Sequence, residues 1–153
     1  MNEYMKIASE LSKESFRTHE GGPFGACIIK DGKVVGRGRN MVLKNNDPTA
    51  HAEVMAIRDA CSNLGTYDLT GCVLYTSCYP CPMCLSATIW SNMKKVYYGN
   101  TKEDAADIGF RDDYIYGFIK GSVDDALYLE MIDRDETIKV FKAFTEDGNR
   151  TIY

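Results

Sequence analysis

These 153 residues contain no run of basic residues, no long apolar stretch and no low-complexity segment. Each absence narrows what the chain can be. The 18 Lys and Arg are outnumbered by 22 Asp and Glu, for a formal net charge of −4. Affinity for nucleic acid rests heavily on neutralised phosphates, so this balance points to a small, neutral ligand. No stretch approaches the ~18 uninterrupted apolar residues of a membrane span. The opening Met1-Asn2-Glu3-Tyr4 lacks the basic start and apolar core of a secretory leader. Neither a repeat nor a linker divides the chain, and a single domain over residues 1–153 is expected. The six cysteines are not spaced like a disulfide framework. Cys78, Cys81 and Cys84 are bunched, and Cys27, Cys61 and Cys72 sit in apolar stretches. Reduced thiols in the cytoplasm are the expectation.

The hydrophobic pattern alternates between helical and strand-like periods. Tyr4, Ile7, Ala8, Leu11 and Phe16 mark a helix over residues 3–17, ended by Gly21-Gly22-Pro23. Phe24 to Ile29 reads as a buried strand, Asp31-Gly32 as a hairpin turn, and Val34 to Asn40 as the returning strand. After a polar loop from Lys44 to Pro48, Thr49 is the expected N-cap of a helix from Ala50 to Ser62. Cys72 to Ser77 is the third strand, and a helix opening at Pro82 runs to Ser91. Lys95 to Tyr98 is the fourth strand, residues 102–108 a short helix and residues 136–144 a last one. Strands separated by helices of this length imply an α/β layer architecture. Trp90 and the methionines Met55, Met83, Met93 and Met131 are expected in the core, His19 at a helix end. The tyrosines of Tyr97-Tyr98 and Tyr114-Ile115-Tyr116 are expected to pack rather than to stack on bases.

The chemistry sits in two short strings, His51-Ala52-Glu53 and Pro80-Cys81-Pro82-Met83-Cys84. One imidazole and two thiolates suit tetrahedral Zn²⁺ and leave a fourth position for water. Cys81 and Cys84, at i and i+3, share one face of a helix start. Glu53 is a carboxylate able to move protons without binding the metal. A zinc that merely staples two helices is the competing reading, because Cys78 could add a third thiolate. That reading leaves Glu53 without a role. Asn40, at a strand end, could cap a turn or bond a base with its amide.

H-x-E followed by P-C-x-x-C is the signature of zinc nucleobase deaminases. The chain resembles the cytidine-deaminase-like superfamily, and more closely its small bacterial guanine deaminases. Gly21 to Ala26, Asn46 to Val54, Leu74 to Cys78 and Pro80 to Leu85 carry the resemblance. Much of this is shared with bacterial tRNA adenosine deaminases. The stretch Asp104 to Tyr116 is similar to the guanine deaminase segment that brings an aspartate to the purine. The resemblance implies a three-layer α/β/α sandwich with a five-stranded mixed sheet, a zinc cofactor, and hydrolytic conversion of guanine to xanthine and ammonia. It implies Glu53 as proton shuttle and His51, Cys81 and Cys84 as ligands. Asp112, with Asp113 as alternative, would accept from guanine N–H groups. Asn40, Phe24, Ala52 and Tyr153 would be further substrate contacts. It also implies a homodimer in which residues 136–153 are exchanged, so that Tyr153 reaches towards an active site. Two departures from the relatives stand out: Tyr79 replaces the Glu common before Pro80, and Gly117 to Thr137 matches loosely. The remaining alternatives are deamination of guanosine, cytidine, cytosine or tRNA adenosine, and a non-catalytic zinc binding module.

Overall fold

The first helix begins where Asn2 supplies a cap: its side-chain oxygen accepts from the Tyr4 and Met5 amides. This computed structural model describes residues 2–153. After α1 (Glu3–Arg17) come β1 (Gly25–Lys30) and β2 (Lys33–Arg39), joined at Asp31 and Gly32. Both turn residues have positive φ, 48° and 74°, as a tight hairpin requires. The chain continues through α2 (Val42–Asn45), α3 (Ala52–Leu64), β3 (Val73–Cys78), α4 (Pro82–Trp90) and β4 (Lys95–Asn100). It ends with α5 (Lys102–Asp107), α6 (Asp112–Lys120) and α7 (Arg134–Glu146).

The sheet order is β2-β1-β3-β4. β1 runs antiparallel to both β2 and β3, and β3 pairs parallel with β4 across the α4 crossover. Alternation along β1 assigns the two layers of helices. Cys27 turns its sulfur to the Tyr4 carbonyl of α1. Ala26 and Ile28 join Ala52, Ala56 and Ala60 of α3, with Leu69, Leu74 and Met93, in the core. The β2–α3 contact is set by small residues. A methyl at Gly38 would run into the Ala52 carbonyl and the Ala56 amide, and one at Gly36 would lie 2.5 Å from the Ala56 carbonyl oxygen.

Several expectations are corrected. The sheet has four strands among the described residues, not five, because the chain leaving β4 is spent on α5 and α6. Residues 122–133 then form no ladder. The second long helix starts at Ala52 rather than Ala50, since Asp47 binds the Thr49 amide and hydroxyl in a turn of its own. Trp90 is exposed (66%), as is Met131 (76%), whereas Met93 is buried. Tyr97 and Tyr98 are packed against Tyr75 and Tyr79 but remain partly exposed.

Candidate zinc centre and substrate cavity

His51 and Cys81 occupy equivalent places: each is the extended residue immediately before a helix, α3 and α4 respectively. Cys84 follows one turn into α4, after Pro82, whose missing amide costs nothing there. Two helix N-termini thus meet at one point, and their positive ends favour thiolates. His51 Nδ1 lies 3.5 Å from Cys81 Sγ and 3.6 Å from Cys84 Sγ. A tetrahedral zinc with ordinary Zn–N and Zn–S bonds spans about 3.6 Å between such atoms. All three ligand atoms fall within 4.8 Å of one another. The donor set and its spacing fit zinc. Cys78 is not in this cluster; its thiol reaches the Thr101 carbonyl at 3.5 Å, and burial pushes it up to about 11.

The two cysteine thiols differ in their surroundings. Hydrogen bonding to Cys84, and then to His51, holds the Cys81 thiol down at about 4. The Cys84 thiol, bonded to that sulfur and buried, is pushed up. The Cys81 interaction, opposed by burial, raises His51.

Glu53, in the first turn of α3, is 6% exposed. Its Oε1 accepts a 2.9 Å hydrogen bond from Thr76 Oγ1, from the middle of β3. Burial raises its carboxyl above the usual range, with Thr76 among the opposing contacts. Sequence reasoning missed Thr76, because nothing local joins residues 53 and 76.

A cavity of about 470 Å³ opens over these groups, with His51, Glu53 and Cys81 on its inner surface. Phe24 stands in one wall, edge-on to Phe110 at 4.9 Å between centroids. A methyl at Gly22 would lie 2.9 Å from both rings. Asn40 is buried in the wall, and its Oδ1 accepts from the amides of Gly22 (3.3 Å) and Val42 (3.2 Å). Only its amide donors are left to face the cavity. Ser15 of α1 fixes this corner, its one hydroxyl hydrogen shared between the Asn40 carbonyl at 2.6 Å and the Gly22 carbonyl at 2.9 Å.

Asp112 opens α6 and faces the cavity, and burial raises its carboxyl. Asp113 turns away to Arg111 at 2.9 Å, which separates the two candidates. Ala52 is fully buried between His51 and Glu53. Tyr153 lies outside the cavity, 75% exposed, its ring 6.1 Å from those of Tyr67 and Trp90.

Residues 1–100, which carry every zinc-site residue, match the family model described as the cytidine and deoxycytidylate deaminase zinc-binding region. Guanine deaminase of Bacillus subtilis (strain 168) is 44% identical over 151 residues, 98% of this chain and 97% of that protein. Its X-ray structure superposes with a TM-score of 0.90, covering 100% of this chain and 99% of that one. Guanine deaminase from Nitrosomonas europaea gives a TM-score of 0.68 at 32% identity, over 71% of this chain and 63% of that one. The tRNA-specific adenosine deaminase of Aquifex aeolicus is 41% identical over 95 residues, 62% of each chain. A matched zinc-binding region and a relative similar from end to end leave one conclusion: the chain belongs to the cytidine and deoxycytidylate deaminase zinc-binding family.

Proposed function

We propose that this protein is an enzyme that hydrolyses guanine to xanthine and ammonia. The observation that carries the reading is Asp112 at the cavity, within the 101–153 segment. The guanine deaminase relative matches 98% of the chain, whereas the tRNA adenosine deaminase match spans 62%. Guanine offers N–H donors that a carboxylate accepts, whereas adenine presents a ring acceptor at N1.

Held by His51, Cys81 and Cys84, zinc supplies the Lewis acidity that makes a water acidic near neutral pH. Thr76 fixes the carboxylate of Glu53 by its Oε1, and that carboxylate takes a proton from the attacking water. Glu53 passes that proton to the ring nitrogen, then takes the proton of the newly added hydroxyl and gives it to the departing amino group, so that guanine and water become xanthine and ammonia. Phe24 packs on the ring plane, and the Asn40 amide donates to a ring acceptor. Ammonia release should be measured against guanine, guanosine, adenine, cytosine, cytidine and a tRNA anticodon stem-loop. Guanine turnover is expected, with Asp112→Asn lowering its kcat/KM by up to ~10⁴-fold because the charged acceptor of the guanine N–H groups is lost. A wild type inactive on guanine, or an Asp112→Asn protein with unchanged guanine kinetics, overturns the reading.

The same reading includes a homodimer that exchanges residues 136–153 and brings Tyr153 of a second copy to each cavity. Uncovered apolar side chains support it, among them Leu129, Ile132, Phe141 and Ile152, each more than 70% exposed. Sedimentation should give twice the chain mass; a monomer at micromolar concentration overturns this part. The six free cysteines support a reducing, cytoplasmic setting. Among the described residues no helix is long and apolar enough to cross a membrane.

A further inference from the structure

Lys102, the first residue of α5, places its ammonium 4.7 Å from the ring centroid of Tyr79 and 4.7 Å from that of Tyr116. Three segments meet through this one cation. Tyr79 lies on the loop that leads from β3 into the ligand Cys81, and its side chain forms part of the cavity wall. Tyr116 stands one turn after Asp112 on α6, at the i+4 position that shares its face. Its hydroxyl donates to the Pro80 carbonyl at 3.1 Å, next to Cys81 in the chain. Burial pushes that hydroxyl up to about 12, so it remains a neutral donor throughout the working pH range.

α6 needs such an attachment. It has nine residues, none of them buried, and a helix of that length is not stable alone in water. Its neighbouring contact, Phe110 on Phe24, lies before its first residue. The bond from Tyr114 goes to Asp125, in a segment without regular structure. Lys102 makes no ion pair among the described residues, so its charge is left to the two rings.

We infer that Lys102 is a positioning residue: with its ammonium against the rings of both Tyr79 and Tyr116, it holds α6, and with it Asp112, against the loop that carries Cys81. An ammonium over a tyrosine face is attracted by the ring quadrupole, and each contact adds modestly at an exposed site. Two contacts on one cation act together, because moving α6 away breaks one and loosens the other. Replacing the charge rather than the stem isolates this effect. Lys102→Met keeps length and apolar reach, while Lys102→Arg keeps a cation that stacks on aromatic rings.

The kinetic consequence rests on the reading of Asp112 as the acceptor of guanine N–H groups; the structural one does not. Zinc-loaded full-length protein should be compared as wild type, Lys102→Met and Lys102→Arg by amide hydrogen exchange and by guanine kinetics. In Lys102→Met, amides over residues 112–120 should exchange about tenfold faster, with β1 and β3 unchanged. KM for guanine should rise by about tenfold while kcat stays within about twofold, and Lys102→Arg should restore both readouts. Zinc content should be equal in all three. Exchange in Lys102→Met equal to wild type, or a Lys102→Arg protein as fast as Lys102→Met, overturns the inference. An unchanged KM in an active Lys102→Met enzyme also overturns it. A wild type inactive on guanine overturns the proposed function instead, and the exchange data then decide this inference alone.

Discussion

Thr76→Val removes a single oxygen from the centre of the sheet and tests how Glu53 works. The hydroxyl donates to Glu53 Oε1 at 2.9 Å, with Thr76 1% and Glu53 6% exposed. Valine fills nearly the same space, but the buried carboxylate oxygen loses its donor. An unsatisfied buried acceptor costs about 1–3 kcal/mol, more when charged. If that loss falls on the charged form that takes up the proton, kcat drops about 10- to 100-fold, at 1.36 kcal/mol per decade. Thr76 does not line the cavity, so KM for guanine should stay within about threefold and zinc content should not change. The hydrogen bond lowers a carboxyl that burial raises. Losing it raises Glu53 further, and the acid limb of the rate profile moves to higher pH. Steady-state ammonia release from pH 5 to 9, with zinc measured on the same samples, reads all three quantities. Thr76→Ser keeps the donor and should recover most of kcat. A Thr76→Val enzyme at wild-type kcat, or a Thr76→Ser enzyme equally impaired, refutes the reasoning.

Elemental analysis should find about one zinc per wild-type chain, with large losses in Cys81→Ser and Cys84→Ser and none in Cys78→Ser. Glu53→Gln should keep its fold and zinc yet lose about 10²–10⁴-fold in turnover, since the proposed mechanism gives every proton step to this one carboxylate. Arg39, and then Lys44, hold Glu20 near about 2 rather than its ordinary 4.5. A carboxyl lowered on folding stabilises above its unfolded value, and the contribution disappears as pH falls from 4.5 towards 2. Urea midpoints of Glu20→Gln should therefore fall less steeply than wild type over that window, and equal slopes would count against the ion cluster.

The zinc site was legible as two local strings whose pairing the deaminase signature supplied. His51 and Glu53 flank one helix start, and Cys81 and Cys84 share one turn of another. The hairpin was legible for the same local reason, two turn residues able to adopt positive φ. The layered α/β plan followed from the order of periodic segments. What failed depended on competing local bonds, on where an element ends, or on distant partners. Thr49 looked like a helix cap until Asp47 took its hydroxyl. Trp90 looked like a core residue on an apolar helix, yet α4 ends there with that side facing outwards. A fifth strand required residues 122–133 to find a backbone to pair with, and composition alone does not supply one. α6 left a readable trace, Asp112-Asp113 at its start and Gly121 in a left-handed conformation after its end. The Lys102 cluster with Tyr79 and Tyr116 left none, since its three residues come from three segments.

The glycines of β2 bear on how such a protein can change over generations. The helix that presents His51 and Glu53 lies as close to the sheet as it does because positions 36 and 38 carry no side chain. Almost any substitution there shifts the metal's histidine relative to its cysteines, so variation at these positions is heritable only as loss. The segment after β4 is under a looser restriction: α5 and α6 carry none of the three metal-site residues, and away from Lys102 and Tyr116 their exposed residues can be exchanged at less risk to the ligand geometry. New substrate preferences are therefore reachable one substitution at a time from residues 101–120, and the same stretch is where a mutant library would be placed to redirect the enzyme.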